Sequence, residues 1–357
     1  MNAGNGLSQL MGWTRRAVIA VLALTATASA TTPHLTVSNV GPGKIVVADR
    51  NSGTVSVISA ITDEVIETLE LPAAANPAEP MYVVYSPVRN RFFVGDRAND
   101  RVVAFDARTL DATAEVPTGA GVFHMWGNTR AGQLWVNNDI DKSSTVIDLL
   151  TLEVIATVPT PSDIVEMGGK PHDVIFSPDG TYAYVTHVAL EGEFDYVVQF
   201  DTETFEELGS VAVGKDPHLS VTRRNNVLYV PCQESGEVFI FDLDTLMTED
   251  VLAIPGAHGA GMAYYGDYFY VSNLPGGGMD ALWTIDTATN EIVGDPVDTP
   301  YEIPHNIALT PTGKLYVTHS GPNDKVTVFT TSGREPTPMY LGEVTVGMNP
   351  FGLAWVP

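Results

Sequence analysis

The sequence of 357 residues has a single cysteine, few basic residues and only short apolar runs. The lone Cys232 excludes an internal disulfide framework, so the fold must be stabilised by burial of apolar side chains. With 18 Lys and Arg against 43 Asp and Glu, the formal charge is −25. Such a surface repels phosphate backbones, and we expect no nucleic-acid partner. After residue 30, Gly, Pro, Asp or Asn breaks every apolar run within about ten residues, so no membrane span is expected.

Residues 1–30 have the order of an export signal peptide. Arg15-Arg16 precedes a short apolar run, which is followed by the small residues Ala28-Ser29-Ala30, as in secreted proteins. The arginine pair before apolar residues is typical of twin-arginine export, and an ordinary secretory leader is the alternative. Both interpretations predict a periplasmic or secreted protein, with residues 31–43 as a lead-in to the folded part.

From Lys44 onward, a unit of about 45 residues recurs along the chain. The clearest copy begins at Lys170-Pro171-His172, passes through the turn Ser177-Pro178-Asp179-Gly180 and the β-rich Tyr184-Val185-Thr186-His187, and ends near Gly214. A unit of this length made of short strands and turns is typical of a β-propeller blade. Six copies are complete, and a seventh is divided between residues 44–71 and 349–357.

The sequence therefore predicts an all-β fold, a seven-bladed β-propeller over residues 44–357 with four-stranded antiparallel blades. The C-terminal strand is expected to join the N-terminal strands in one blade, which closes the ring and removes exposed sheet edges. Tyr184-Val185-Thr186-His187 and Tyr316-Val317-Thr318-His319 resemble the YVTN-repeat family of β-propellers, as does the turn at Ser177. The resemblance covers nearly all of the chain after the leader. It implies the fold and leaves the function open, because related propellers serve as enzymes, redox subunits and binding scaffolds.

Seven of the eight histidines occupy only two positions of the repeat. We predict that the start of each first strand lies at one mouth of the central channel, beside the end of the second strand. Around the ring, the first-strand position is predicted to hold Phe351, Met81, His124, His172, His218, His258 and His305. The second-strand position is predicted to hold Asp49, Asp96, Asn138, His187, Cys232, Asn273 and His319.

This gathering predicts a transition-metal site, with copper or iron as the first candidates, because imidazole is the commonest protein ligand for such metals. The candidate ligands are His124, His172, His218, His258, His305, His187, His319 and Cys232. Asp173, Asp216 and Glu302 are candidates to accept the second ring N–H of a ligating histidine. The resemblance to propellers with histidines at the channel mouth, among them copper enzymes and iron dioxygenases, also implies a metal.

Other interpretations stay open. A histidine at the start of a strand can bond a neighbouring blade's carbonyl and be copied by duplication, and a buried Cys232 is typical of packing. The functions to be weighed are metal-dependent redox chemistry or metal binding, and a non-catalytic scaffold or accessory subunit that presents a protein, peptide or tetrapyrrole site. A metal-free hydrolase or lactonase is a third class, for which the sequence shows no paired acid and base. A redox or periplasmic protein is the expected kind of partner.

Overall fold

The computed structural model describes residues 43–222, 226–262, 267–274, 281–332 and 335–357. Within these residues, the strands form seven antiparallel sheets, and each sheet is one blade. The prediction of a seven-bladed β-propeller is confirmed. The predicted leader, residues 1–30, and nearly all of the lead-in lie outside the described residues. None of the described helices is long and apolar enough to cross a membrane.

We number the strands β1 to β29 in chain order. Blade 1 holds both ends of the propeller and consists of β29 (Pro350–Val356), β1 (Lys44–Asp49), β2 (Thr54–Ser59) and β3 (Val65–Glu70). Blade 2 consists of β4 (Pro80–Ser86), β5 (Arg91–Asp96), β6 (Arg101–Asp106) and β7 (Ala112–Pro117). Blade 3 consists of β8 (Val122–Asn128), β9 (Gln133–Asn138), β10 (Ser143–Asp148) and β11 (Val154–Pro159). Blade 4 consists of β12 (Lys170–Phe176), β13 (Tyr182–Val188), β14 (Asp195–Asp201) and β15 (Glu207–Val213).

The remaining blades follow the same order from the channel outward. Blade 5 consists of β16 (Ser220–Thr222), β17 (Val227–Cys232), β18 (Glu237–Asp242) and β19 (Thr248–Ala253). Blade 6 consists of β20 (Ala257–Met262), β21 (Tyr268–Asn273), β22 (Ala281–Asp286) and two short outer strands, β23 (Glu291–Ile292) and β24 (Val297–Asp298). Blade 7 consists of β25 (Pro304–Leu309), β26 (Lys314–His319), β27 (Lys325–Ser332) and β28 (Glu335–Thr345). A short α-helix, Ser162–Glu166, precedes blade 4, and 3₁₀ turns occur at Val88–Asn90 and Arg97–Asn99.

Burial falls from the middle of each blade to its outer edge. All six residues of β17 are buried, whereas five of the six residues of β3 are exposed. The reason is that both faces of a middle strand pack against neighbouring blades, as where Tyr184 of blade 4 packs against Leu228 and Phe241 of blade 5. The core is therefore a circle of apolar interfaces between blades, which explains how the fold dispenses with disulfides.

Acidic residues end the third strands and begin the turns to the fourth. The carboxylate of Asp148 accepts the backbone N–H groups of Leu150 and Thr151, and Asp201 does the same for Glu203 and Thr204. These bonds hold the pKa of both carboxyl groups below the ordinary value. Some of the many acidic residues of the chain therefore stabilise the turns of the repeat.

A β-bulge interrupts the first strand of the blades shortly after its start. In blade 4, Pro171 pairs with His187 and Val174 with Val185, so three steps along β12 match two along β13. The same shift occurs in β4, β8, β20 and β25. A bulge leaves one residue unpaired and re-aims the side chains around it. Blade 5 keeps a single register between Pro217 opposite Cys232 and Ser220 opposite Tyr229.

The C-terminal strand closes the ring, as predicted. β29 pairs antiparallel with β1 from Lys44 opposite Val356 to Asp49 opposite Pro350. This pairing covers the inner edge of β1, which would otherwise be exposed.

Deletion of residues 350–357 should open the ring and expose the core on both sides of the gap. We expect the midpoint of thermal unfolding to fall by at least about 10 °C, because a whole inner strand is lost. Deletion of the exposed Pro357 alone is the matched control and should leave the midpoint unchanged. Equal thermal stability of the two shortened chains would contradict the closure.

Candidate functional site

Two consecutive positions at the start of each first strand are compared around the channel, and a bulge follows them in every blade except blade 5, where Pro217 opposite Cys232 and Ser220 opposite Tyr229 keep one register. The first position follows the residue that pairs with the end of the second strand, and around the ring it holds Phe351, Met81, Phe123, His172, His218, His258 and His305. The second position holds Gly352, Tyr82, His124, Asp173, Leu219, Gly259 and Asn306.

His124 lies at the second position, so the prediction that it shares the position of the other four histidines is wrong. Val122 pairs with Asn138 at the end of the second strand, and Phe123 is therefore the counterpart of His172. The stretch before His124 has no proline to mark the register, whereas Pro171, Pro217 and Pro304 mark it elsewhere.

Despite this shift, the five histidines meet in one circle of rings that we call the ring layer. Successive ring centroids lie 4.6 Å apart for His124 and His172, 4.7 Å for His172 and His218, 3.8 Å for His218 and His258, and 4.4 Å for His258 and His305. Phe351 and Tyr82 complete the circle: Phe351 lies 4.2 Å from His305 and 5.5 Å from Tyr82, which lies 4.0 Å from His124. Each blade thus contributes one ring.

His124 is held between two hydrogen-bond partners. The Tyr82 hydroxyl lies 2.7 Å from His124 Nε2, and the Asp173 carboxylate lies 3.2 Å from His124 Nδ1. Because an ionised carboxylate only accepts, Nδ1 carries the proton and the tyrosine hydroxyl donates to Nε2. The backbone N–H groups of Val174 and Leu219 also donate to Asp173. Tyr82, His124 and Asp173 therefore form a hydrogen-bonded relay, and both nitrogens of His124 are engaged.

The three histidines that follow His124 around the circle are less satisfied. His172 Nδ1 lies 3.4 Å from the Pro217 carbonyl and 3.8 Å from the Asp216 carboxylate, which are both long contacts. Nε2 of His218 and both ring nitrogens of His258 are buried without a hydrogen-bond partner among the described residues. His305 differs, because Asn306 Nδ2 donates to its Nδ1 at 3.0 Å. Ligand nitrogens of His124, His172 and His218 all lie within 4.8 Å of one another.

Burial keeps these imidazoles neutral. Removal from water, reinforced by the neighbouring rings, holds the pKa values of His124, His218 and His258 well below the ordinary 6.5. The same causes lower the pKa of His305 to about 3. Burial also raises the pKa of Asp173 to about 6. At neutral pH these four histidines therefore offer unprotonated nitrogen lone pairs, which is the form that binds metals.

A small cavity of about 170 Å³ opens above the ring layer at the mouth of the channel. We call it the mouth cavity. The five histidines line it together with Tyr82, Phe123, Phe351, Asp216, Gln233 and Leu274. At roughly 30 Å³ per molecule, it holds only a few waters or one small substrate. His172 is the most accessible of the histidines, with 12% of its side chain exposed.

The predicted second-strand residues do lie at equivalent places, but they are separate from the ring layer. His319 contacts the Glu302 carbonyl through Nδ1 at 3.0 Å and Thr327 Oγ1 through Nε2 at 2.9 Å. His187 is buried, and burial lowers its pKa to about 3. Burial raises the pKa of the Cys232 thiol, whose Sγ lies 3.4 Å from the Val230 carbonyl. Metal binding by these three residues stays a prediction.

The three acidic residues that were predicted to accept a ring N–H from a histidine differ in the contacts that they make. Asp173 contacts a histidine of the ring layer as expected, although the histidine is His124 of the preceding blade. Asp216 lies beyond hydrogen-bond distance from His172. Glu302 contacts a candidate ligand as well, although it does so through its backbone carbonyl, which lies 3.0 Å from His319 Nδ1.

Sequence reasoning missed Tyr82 and Phe123, and with them the paired acid and base. Their approach to the histidines depends on contacts between blades, because Tyr82 and His124 are 42 residues apart. The sequence signal that could have identified Tyr82 was its position directly after Met81, at the start of a first strand.

Comparisons with known structures agree with the fold. Hydrazine synthase of Kuenenia stuttgartiensis is 17% identical, with a TM-score of 0.67 over 80% of this chain and 92% of that chain. The periplasmic gluconolactonase PpgL of Pseudomonas aeruginosa is 19% identical, with a TM-score of 0.68 over 88% and 99%. The dihydro-heme d1 dehydrogenase NirN is 14% identical, with a TM-score of 0.62 over 88% and 75%. At these identities the likeness shows the fold alone.

No curated protein sequence matches the chain. The family described as lactonase, 7-bladed beta-propeller, matches residues 15–249, which is more than half of the chain. The chain belongs to this lactonase family of seven-bladed β-propellers.

Proposed function

We propose that the ring layer binds a transition-metal ion, copper or iron first, through its histidines, with His172 and His218 as the central ligands because their ligand nitrogens lie within 4.8 Å of each other. The observation that carries this proposal is the set of ring nitrogens of His218 and His258 that are buried and unpaired among the described residues. An unsatisfied buried polar group costs about 1–3 kcal/mol, and a metal ion would remove that cost at several nitrogens together. His305 and His124 are adjacent to this set but have hydrogen-bond partners on one and both nitrogens, respectively.

The residues around His172 fit a bound transition-metal ion. Imidazole ligands suit copper, zinc, iron and nickel, and a coordinating histidine is usually oriented by a carbonyl or carboxylate on its other nitrogen. The Pro217 carbonyl and Asp216 lie on that side of His172. A bound ion with an open position would supply Lewis-acid or redox chemistry to a molecule in the mouth cavity.

The chain's own residues supply positioning and proton transfer beside this site. The Tyr82 hydroxyl lines the mouth cavity and donates to His124, so it can pass its proton inward to Nε2 while it accepts one from a substrate. Asp173 then stabilises the imidazolium that forms. Phe351 and Phe123 exclude water from one side of the ring layer.

We infer that the protein acts outside the cytoplasm. The leader in residues 1–30 supports export, and one structure of similar fold is named a periplasmic gluconolactonase. Two others are named for hydrazine synthesis and for a dihydro-heme dehydrogenase. These names support redox chemistry as a use of this fold, and they keep a tetrapyrrole-presenting scaffold as the alternative. The narrower YVTN-repeat assignment stays an interpretation of the sequence motif.

Metal content tests the proposal directly. Protein purified without a histidine tag and incubated with copper(II) should retain about one ion per chain after gel filtration. The His172→Ala and His218→Ala variants should each retain less than about 0.2 ion per chain, because each lacks one ligand. His187→Asn removes a buried imidazole outside the ring layer and is the matched control. Equal copper contents in all four proteins, measured by elemental analysis, would overturn the proposal.

The lowered pKa values predict an unusual pH dependence. Protons compete poorly for imidazoles whose pKa is held well below 6.5, as burial does for His218 and His258, so each of these two ligands should cost little copper affinity between pH 7 and pH 5. A site built from ordinary histidines, with a pKa near 6.5, would lose about thirtyfold per ligand over that range. Competition with a chelator of known affinity at each pH distinguishes these results.

Lactone chemistry is a second candidate function, supported by the family and by the relay of Tyr82, His124 and Asp173. In this case a water molecule in the mouth cavity loses its proton to Tyr82 as that residue's proton moves to His124. The water oxygen then attacks the lactone carbonyl, the ring C–O bond breaks, and the proton returns to the leaving oxygen.

Gluconolactone hydrolysis by chelator-treated protein tests this candidate. Tyr82→Phe removes the reacting hydroxyl and should lower kcat by about 10²–10⁴-fold, the usual range for general acid–base catalysis. Tyr85→Phe removes a hydroxyl that bonds the exposed Asn90 and should leave kcat unchanged. Absence of hydrolysis above the buffer rate, followed through the acid released, would eliminate lactone hydrolysis without affecting the metal proposal.

A further inference from the structure

The channel continues beneath the ring layer into a second, larger cavity of about 760 Å³. We call it the lower chamber. It is lined by the later residues of all seven first strands, whereas the mouth cavity is lined by their starts. The two cavities share only Tyr82, His124 and His218 among their lining residues. The ring layer therefore divides the channel into two compartments that open toward opposite faces.

The walls of the lower chamber combine polar and apolar groups, and the apolar side chains are unequal in size. One position of the first strands shows this best, four residues after the residue that pairs with the end of the second strand. Around the ring it holds Val84, Trp126, Ile175, Val221, Gly261, Ala308 and Ala354. One blade thus has an indole at this level, and three blades have a hydrogen or a methyl group. The asymmetry creates the space, because a large residue in every blade would fill the channel.

Trp126 is 49% exposed although it belongs to an innermost strand. Its ring faces the open chamber, which is also lined by Tyr85, Ile307, Leu309, Leu353 and Trp355. Burial of apolar area is worth about 25 cal/mol per Å². An occupant that covers these side chains would gain most of its binding free energy from them.

Polar groups line both ends of the chamber. At the end next to the ring layer they include Tyr82, Asp173 and Asn306. The carboxylate of Asp173 would repel an anion that reached this end, and the chain as a whole is strongly acidic. Arg130 lines the opposite, open end, where its Nε donates to the Pro178 carbonyl.

We propose that the lower chamber is a second ligand site, which takes a neutral small molecule with an aromatic or apolar body. The volume falls in the range of roughly 300–1,000 Å³ found for small-molecule sites. The seven strands surround the chamber, so a flat protein surface does not fit it, and the Asp173 carboxylate at the end next to the ring layer disfavours anions. The proposal does not rest on metal or lactone chemistry in the mouth cavity, although Tyr82, His124 and His218 line both cavities.

Two related dyes test the proposal on metal-free full-length protein. N-phenyl-1-naphthylamine is neutral, and 8-anilino-1-naphthalenesulfonate is the same body with a sulfonate. The neutral dye should bind at about one site per chain, with energy transfer from tryptophan, and at least about tenfold more tightly than the sulfonate. Equal or tighter binding of the sulfonate would contradict the proposed selectivity.

Variants locate the site. Trp126→Ala should weaken binding of the neutral dye by about tenfold or more because it removes the largest wall group, and Trp126→Phe should restore most of the affinity. Both changes are at a half-exposed position and should leave the unfolding midpoint nearly unchanged. Phe194→Ala removes an aromatic ring that is 47% exposed outside the chamber and is the matched control.

The two variants together distinguish binding in the lower chamber from binding at the protein surface. A loss with Trp126→Ala and none with Phe194→Ala supports the chamber. Unchanged binding in Trp126→Ala, or several dye molecules per chain, would show adventitious binding at the surface and overturn the inference. Neither result depends on whether the ring layer binds copper.

Discussion

The pairing register of the first two strands in each blade is the constraint on which the site depends. Because Pro171 is opposite His187 and Val174 is opposite Val185, one additional residue must be accommodated between them. The extra residue places both His172 and Asp173 near the axis, where regular alternation would place only one of them there. The shift recurs in six of the seven blades and is absent from blade 5, and the blades together bring separate sequence positions into one compact set of rings.

Electrostatics then determines how many histidines of the ring layer can carry a proton. Five imidazoles in contact with one another could not all be protonated, and burial adds to the penalty for charge. The outcome is a neutral layer in which one histidine is locked between Tyr82 and Asp173, while His218 and His258 have buried nitrogens that lack partners among the described residues. Proton transfer and ligand binding are thus assigned to different members of the same circle.

Much of the fold was predictable from the sequence because the repeat is long and its turns are marked by Asp, Gly and Pro. The split blade was predictable as well, since the last residues match a first strand that the N-terminal segment lacks. The site was predictable only in part. His172, His218, His258 and His305 follow from the period, but His124 lies one residue further from the start of the strand pairing, where Gly121-Val122-Phe123 has no proline to mark the register. The contact of Tyr82 with His124 arises between blades, and no local pattern in the sequence encodes the distance between two blades. The lower chamber was not predictable either. Its space arises because Trp126 lies at the same level as the small residues Gly261, Ala308 and Ala354, and this equivalence is known only from the pairing register of the strands.

The circle of rings includes Phe351, which lies on the strand that completes blade 1. Phe351 follows all the other members of the circle in the chain. Until its strand pairs with β1, the circle lacks one of its seven rings, and the gap lies between Tyr82 and His305. Completion of the circle and closure of the propeller are therefore one folding event.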